Sequence, residues 1–376
     1  MLQTLAVSGY RSLRDVVVPL APLTVVTGPN GSGKSNLYRA LRLLAAAATG
    51  GMVAAVAREG GLPSLLWAGP EGGGSQGTVR SRPVALQLGF SSEELGYLVD
   101  LGLPQVDEHN PFSRDPEIKR EQVFAGPVAK PATVLIDRLR QSTRVREGSW
   151  VHLDQRLEPF ESILTDLADG DTGPELLALR RVLSGWRFYD HFRVDADAPS
   201  RQPQVGTRSH TLAHGGENLA AVWATIRDAG HGAALDREVD RAFAGARIEI
   251  EAVDGRFRLR MRQSGLLRPL DTTELSDGIL RYLLLCAALL PARPPGLLVL
   301  NEPESSLHPA LLGPLARLIV AASEATQVVV VTHAVRLADA LGEAGALRHE
   351  LIPDPSGTRI DGQGMLDQPA WNWGRR

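Results

Sequence analysis

The chain has 376 residues, 43% hydrophobic and 22% charged, with a formal net charge of -3 and a pI near 6.3. That is enough apolar material for one large domain or two modest ones, and the slightly acidic balance excludes a general polyanion binder while leaving room for a local basic groove. The single cysteine, Cys286, excludes an internal disulfide and suits a reducing cytosol, where a buried helix thiol is its expected role.

At the start, MLQTLAVSGY lacks a basic segment followed by an apolar run, so a secretory leader is not expected and a strand is. A second short strand around 16–20 precedes LTVVTG (23–28), a buried strand that runs into GPNGSGKSN. Then KSNLYRALRLLAAAA has helical spacing, with Leu37, Leu41 and Leu44 on one face. Glycines at 50, 51, 60, 61, 69 and 72–74 point to a loop or mobile stretch, and PVALQLGF (83–90) alternates like a strand. The longest apolar stretches, 43–57 and 283–290, are broken by glycine or too short to cross a bilayer. A soluble, cytoplasmic protein without membrane contact is therefore expected.

Residues 102–215 mix proline-bearing loops with ATVLIDRLRQ and GPELLALRRVLSGW, both of which read as helical. They predict an inserted, mainly helical lobe over 101–214, between an N-terminal lobe (1–100) and a C-terminal lobe (215–376). No sustained heptads suggest a coiled-coil arm. The C-terminal lobe begins with a helix in GGENLAAVWATIRDA (215–229), followed by the hairpin RIEIEAVDGRFRLRMR (247–262), turning at Asp254-Gly255. Helix 275–290, strand 296–301, helix 308–325, strand 327–331 and helix 334–341 complete an α/β pattern.

Two basic clusters invite a DNA-binding reading. In the hairpin, a two-residue turn puts Arg258 opposite Glu251 and Arg260 opposite Glu249, which predicts a charge-paired, solvated face. Arg138, Arg140, Arg144 and Arg146 read equally well as a nucleic-acid contact or as ordinary surface charge. No aromatic interleaving marks either cluster as a stacking platform.

The chemistry-bearing strings lie at the two ends. GPNGSGKS fits G-x-x-x-x-G-K-[ST] between a strand and a helix. Gly28, Gly31 and Gly33, with Pro29, Asn30 and Ser32 between them, let backbone N–H groups turn toward phosphate oxygens, aided by the helix dipole. Lys34 should reach the β- and γ-phosphates, Ser35 should ligate Mg²⁺, and Asn36 follows in the same nucleotide-binding string. In LLVLNEPESSLHP, the strand delivers Asn301 and Glu302 to the carboxyl edge of a sheet, where α/β proteins bind ligands. Glu302 is the candidate carboxylate for polarising an attacking water.

These strings, with TELSDGILRYLLL (273–285) and VVVVTHAVRLADAL (328–341), resemble the ATP-binding-cassette heads of the RecF/SMC family, over roughly 1–50 and 210–345. Within that group the chain is similar to RecF-like ATPases of bacteria. The resemblance implies an α/β P-loop NTPase head, with a mixed sheet core and an antiparallel β lobe, that binds ATP and Mg²⁺. It implies that Ser276, Asp277 and Gly278 form the signature facing the γ-phosphate of an opposite subunit. By the same resemblance, Glu302 is the catalytic glutamate, Ser305 to Leu307 the D-loop and His333 the switch histidine. Arg11 and Ser12 match a position that approaches the nucleotide. Homodimerisation around ATP, in DNA maintenance or genome defence, is implied, with DNA or a separate effector protein as candidate partners. A slow nucleotide-gated switch is the alternative. Transport is disfavoured, because SDGIL departs from the transporter-style SGGQ. With about 35 residues after the switch helix, a separate metal-binding nuclease domain is not expected.

The chain departs from the family pattern in two places. Asn301 stands where the family has aspartate; it can accept a hydrogen bond from a metal-bound water but lacks the charge, so slower turnover is expected. The Q-loop glutamine has two candidates, Gln87 and Gln122. Outside these motifs, His308 is expected to cap a helix, and the tail WNWGRR to pack on the head.

Overall fold

Residues 1–69, 85–104, 111–168, 173–364 and 366–374 are described in a computed structural model, and the chain divides between two units. The first comprises Met1–Ala21, Val26–Trp186 and His349–Arg376; the second comprises Pro22–Val25 and Arg187–Arg348.

The chain opens with β1 (Leu2–Tyr10) and β2 (Leu13–Pro19), an antiparallel pair in which Val7 faces Val16. The strand β3 (Leu23–Thr27) leads through the glycine-rich loop to α1 (Lys34–Ala47), which buries Leu37, Leu41 and Leu44 as their spacing predicts. Two short helices follow, α2 (Met52–Arg58) and α3 (Leu62–Leu65), within a stretch whose glycines suggested a loop. Here the glycines bound the helices: Gly60 and Gly61 lie between them with positive φ. Gly72 to Gly74, and residues 83–84 of the expected strand, lie outside the described residues.

Next come β4 (Leu86–Ser92), β5 (Leu95–Gly102), β6 (Glu117–Ala125), β7 (Val134–Leu139), β8 (Ser142–Glu147) and β9 (Ser149–His152). With β1 and β2 they form one eight-stranded antiparallel sheet, in the order β2-β1-β4-β5-β6-β7-β8-β9. The helices α4 (Ile163–Asp166) and α5 (Pro174–Ser184) follow.

The expectation of a mainly helical lobe over 101–214 is therefore corrected. GPELLALRRVLSGW does form α5, but ATVLIDRLRQ forms β7, and β6 to β9 extend the sheet. The alternation that marks a strand is hidden in β7. Asp137 and Arg138 point to opposite faces yet are both buried in ion pairs, while Leu139 is exposed.

The second unit begins with β10 (Arg187–Tyr189), β11 (Gln204–Val205), α6 (Leu219–Asp228), α7 (Gly232–Ala242), β12 (Arg247–Val253), β13 (Arg256–Arg262) and β14 (Leu270–Asp271). It continues with α8 (Asp277–Leu289), β15 (Leu297–Asn301), α9 (Leu312–Ser323), β16 (Gln327–Val331) and α10 (Val335–Glu343). β10, β15 and β16 are parallel neighbours, and the Val328 N–H donates to the Pro22 carbonyl just ahead of β3. Residues 280–289 of α8 are buried on every side, which makes it the central helix of a core shared with Trp223, Leu298, Leu300 and Val330. Cys286 lies inside that core, and burial raises its thiol pKa well above the ordinary value.

The β12–β13 hairpin has the predicted register, with Ile248 opposite Met261, Ile250 opposite Leu259 and Glu251 opposite Arg258. Asp254 (φ 49°) and Gly255 (φ 72°) both take the left-handed conformation such a tight turn requires. The charge pairing runs diagonally: Arg260 meets Glu251 and Arg262 meets Glu249, each at 2.8 Å, and Asp271 adds a second carboxylate to Arg260.

The chain re-enters the first unit at His349, within β17 (Leu347–Ile352), and pairs with β18 (Arg359–Ile360). Trp371 and Trp373 of the tail pack with Trp150 against a small cluster of Leu98, Phe124, Ala129 and Val134. Among the described residues, no helix is long and apolar enough to cross a membrane.

Candidate nucleotide site

In the first unit, Gly28, Gly31 and Gly33 all have positive φ (143°, 79° and 98°), so the loop after β3 follows a path that L side chains rarely adopt. A Cβ at Gly28 would collide with the Leu351 carbonyl and the Ser32 hydroxyl, and one at Gly33 with the Thr358 and Ser12 hydroxyls. α1 then starts at Lys34 with no side-chain cap and no acidic residue in its first turn. Its first N–H groups carry the positive end of the helix dipole and are not claimed by a cap, the arrangement that receives an anion. The Lys34 ammonium donates to the Gly28 and Pro29 carbonyls, at 2.7 and 2.9 Å, so it folds back over the loop. Ser35 is exposed.

Ser12 supports this loop from behind. It accepts from the Asn36 amide at 3.1 Å and from the Thr358 hydroxyl at 3.0 Å, while the Thr358 N–H donates to the Ser12 carbonyl. The left-handed Arg11 (φ 49°) directs its guanidinium to Glu59 at 2.8 Å.

In the second unit, β15 ends at Asn301, and Glu302 follows in the left-handed conformation (φ 49°) with its N–H donated to the Val331 carbonyl at 2.7 Å. A non-glycine residue held there is uncommon and costs roughly 1–2 kcal/mol. The Glu302 carboxylate is partly exposed and lies 3.6 Å from His333 Nδ1. Ser306, within the 305–307 turn, is also left-handed (φ 63°). His308 accepts from the Ala310 N–H at 3.2 Å, the capping role its position suggested. Ser276 is the N-cap of α8, its hydroxyl accepting from the Ile279 N–H, with Asp277 and Gly278 in the first turn. Gly278 passes close to the Ser306 carbonyl, 3.2 Å from where a Cβ would stand.

The residues fit the group the motifs imply. The glycine cradle, with its left-handed turns and the uncapped start of α1, has the geometry that suits phosphate oxygens. Among the described residues the Asn301 Oδ1 is a buried acceptor without a partner, suited to a metal-bound water. Of the two glutamines suggested for the Q-loop, Gln87 donates to Asp100 at 3.0 Å and Gln122 to Asp137 at 2.7 Å, each through its side-chain N–H.

Four supporting residues escaped the sequence reading. Arg201, 6% exposed, donates to the Val194, Asp195, Thr272 and Leu275 carbonyls and to Asp277 Oδ1, holding the segment ahead of α8. Arg281, buried in α8, donates to the Glu302 carbonyl at 3.1 Å, and burial lowers its pKa. Glu304 accepts from the Thr332 hydroxyl at 2.5 Å and from the His333 and Ala334 N–H groups, fixing the turn that carries His333. Thr358 is the fourth. Only Glu304 carried a usable signal, an acidic residue between an apolar strand and a helix. The others act mostly through backbone carbonyls, which leave no pattern in sequence.

Over residues 23–339 the sequence matches the family described as an AAA domain, putative AbiEii toxin, type IV TA system. The chain belongs to that family. Over 44 residues it is 48% identical to an OLD nuclease of Thermus scotoductus, a match that takes in 12% of this AAA-family chain and 8% of the relative's length. In fold the AAA-family chain is similar to an Smc head bound to the C-winged helix domain of ScpA, with a TM-score of 0.52 and 15% identity over 97% of this chain and 98% of that one. It is likewise similar to the SMC head domain from Thermotoga maritima, with a TM-score of 0.50 and 17% identity over 96% and 97%. At 15% and 17% identity these likenesses are of fold: the AAA-family chain has the mixed α/β fold of SMC heads.

Proposed function

We propose that the chain hydrolyses ATP in a site completed by a second copy of itself, and that the resulting closure acts on DNA in repair or defence. The observation that carries this reading is Glu302: a carboxylate at the end of a parallel strand, held in a strained conformation, in a chain that also carries an uncapped glycine cradle. Strain persists where surrounding structure enforces it, and here the Val331 carbonyl and Arg281 hold the peptide on either side of Glu302.

In this mechanism the loop N–H groups and Lys34 bind the β- and γ-phosphates, Lys34 releasing the Gly28 and Pro29 carbonyls to do so. Ser35 directly, and Asn301 through water, would hold Mg²⁺, which supplies neutralisation of phosphate charge. Glu302 orients the attacking water and accepts its proton, and His333 hydrogen-bonds the γ-phosphate. Ser276 and Gly278 of a second copy offer a hydroxyl and N–H groups at the start of α8 to the same phosphate. DNA and a separate effector protein are the proposed partners.

The test is ATP turnover with and without DNA. Lys34→Ala should lower kcat by a factor of roughly 10²–10³, as for other single transition-state contacts; turnover that persists in this variant would refute the site. Asn301 favours a second reading, a slow nucleotide-gated switch, because it supplies one negative charge fewer than aspartate. Asn301→Asp should then raise turnover several-fold at limiting Mg²⁺, and unchanged turnover would count against a switch.

A further inference from the structure

A cavity of about 660 Å³ opens over β6 to β9, wholly within the first unit. Its floor is a cross-strand row on one face of the sheet: Gln122 of β6 lies opposite Asp137 of β7, which lies opposite Arg144 of β8. Arg146, two residues further on, shares that face, and Trp150 of β9 stands opposite it. The Arg144 and Arg146 guanidiniums lie over the Trp150 ring, 4.4 and 4.8 Å from its centroid, within cation–π range. Lys130, from the β6–β7 connection, and Asn372, from the tail, complete the rim. The tail is fixed there by the Asn372 amide, which donates to the Ala129 carbonyl at 3.2 Å.

The sequence cluster of four arginines thus separates into different roles. Arg138 is fully buried on the opposite face against Glu121, whereas Arg144 and Arg146 enter the cavity. Four cationic side chains, Arg120, Lys130, Arg144 and Arg146, face a single carboxylate, Asp137, in a chain that is acidic overall. Asp137 is engaged by Arg120 at 3.3 Å and Arg144 at 2.7 Å. Arg146 is held in place without being neutralised, since its terminal nitrogens donate to the Ala132 and Pro131 carbonyls at 2.8 and 3.1 Å. The aromatic partner that the sequence did not show is Trp150, brought to the basic cluster by the β8–β9 hairpin.

We propose that this cavity binds a nucleotide unit of single-stranded nucleic acid, with Lys130 and Arg146 holding phosphate and the Arg144–Trp150–Arg146 stack offering planar faces to the base. The proposal rests on the DNA part of the function proposed above and is independent of its ATP site. The volume suits a ligand of this size. Planar guanidinium and indole groups recessed in a cavity reach a base only when it is out of a duplex stack. A free nucleotide presents the same phosphate and ring, so the experiment separates the two sources.

Fluorescence anisotropy of a labelled fifteen-residue oligo-dT (~15 nucleotides suit a single-strand site) is measured against wild type, Lys130→Gln/Arg146→Gln and Trp150→Leu. AMP serves as competitor. Wild type is expected to bind with affinity that falls as salt rises. The double variant should lose tenfold or more, with a salt slope shallower by about 1.4, the share of two single-strand phosphate contacts. Trp150→Leu should lose roughly tenfold. ATP binding through Lys34 should be unchanged in the double variant, and a melting temperature recorded in parallel shows that the variant is folded under the assay conditions. Displacement by AMP only far above the oligonucleotide's own affinity identifies the strand as ligand. Equal displacement by AMP, or oligonucleotide affinity indifferent to both variants, overturns the proposal. Failure of ATP binding alone would sink the ATPase reading and leave this one standing.

Discussion

Arg201→Lys asks whether the signature segment is positioned from beneath. The native guanidinium, nearly buried, donates to the Thr272 and Leu275 carbonyls at 2.6 and 2.8 Å, to Val194 and Asp195, and to Asp277 Oδ1 at 2.8 Å. An ammonium has three donors and no planar fork, so at least two of these five acceptors lose their partner. At about 1–3 kcal/mol for each buried polar group left unpaired, the local cost is roughly 2–6 kcal/mol. The Thr272 and Leu275 carbonyls lie just ahead of Ser276, so the displaced segment is the one that presents the start of α8. If about 3 kcal/mol of that cost falls on the closed, catalytic form, kcat drops about 100-fold. The assay is steady-state ATP turnover, with ATP affinity and melting temperature measured in parallel. The expected result is a collapse of kcat with KM within about twofold, because ground-state binding is left to the P-loop. Turnover within about threefold of wild type in a folded protein would refute the positioning role. Parallel loss of ATP affinity and kcat would reduce it to a general folding defect.

Glu121→Gln should destabilise the first unit by about 3–5 kcal/mol, read by denaturant unfolding, because it leaves Arg138 charged and buried without its partner. The same carboxylate also accepts from the Tyr97 hydroxyl, the Ser162 hydroxyl and the Ile163 N–H. A double variant, Glu121→Met with Arg138→Met, should cost less than the sum of the two singles, and simple additivity would refute the coupling. His349 supplies a pH dependence. Burial lowers its pKa below the ordinary 6.5, outweighing its hydrogen bond to the Pro19 carbonyl. The unfolded chain therefore binds more protons than the folded one in the window beneath 6.5. Stability present above that value falls as pH drops through it, and His349→Gln should flatten this part of the melting-temperature profile.

Much of the second unit was legible in the sequence, because its signals are local. The Asp254-Gly255 turn and alternating side chains fixed the β12–β13 register, and the helix expected over 275–290 is α8. The P-loop was legible for the same reason: three glycines, each with positive φ, sit between a strand and a helix. The middle of the chain was read as helical because β7 buries charge on both faces, and pairing along β6 to β9 depends on partners distant in sequence. The ion pairs of the hairpin show the limit of register alone. Arg260 was placed opposite Glu249 and its backbone is, yet its side chain leans to Glu251 and Asp271. Arg201 and Arg281 left no trace because their acceptors are mostly main-chain carbonyls. Trp150 follows the arginine cluster closely in sequence, yet only the β8–β9 hairpin set it over Arg144 and Arg146.

Hydrolysis of ATP between two copies, with Glu302 orienting the water, is probed by sedimentation of Glu302→Gln with ATP and Mg²⁺. The amide keeps the shape of the site but cannot take the proton, so the variant should bind ATP, turn it over at least about 100-fold more slowly, and accumulate as a dimer that dissociates when ATP is removed. A variant that stays monomeric at saturating ATP, or hydrolyses it at the wild-type rate, would rule out this mechanism.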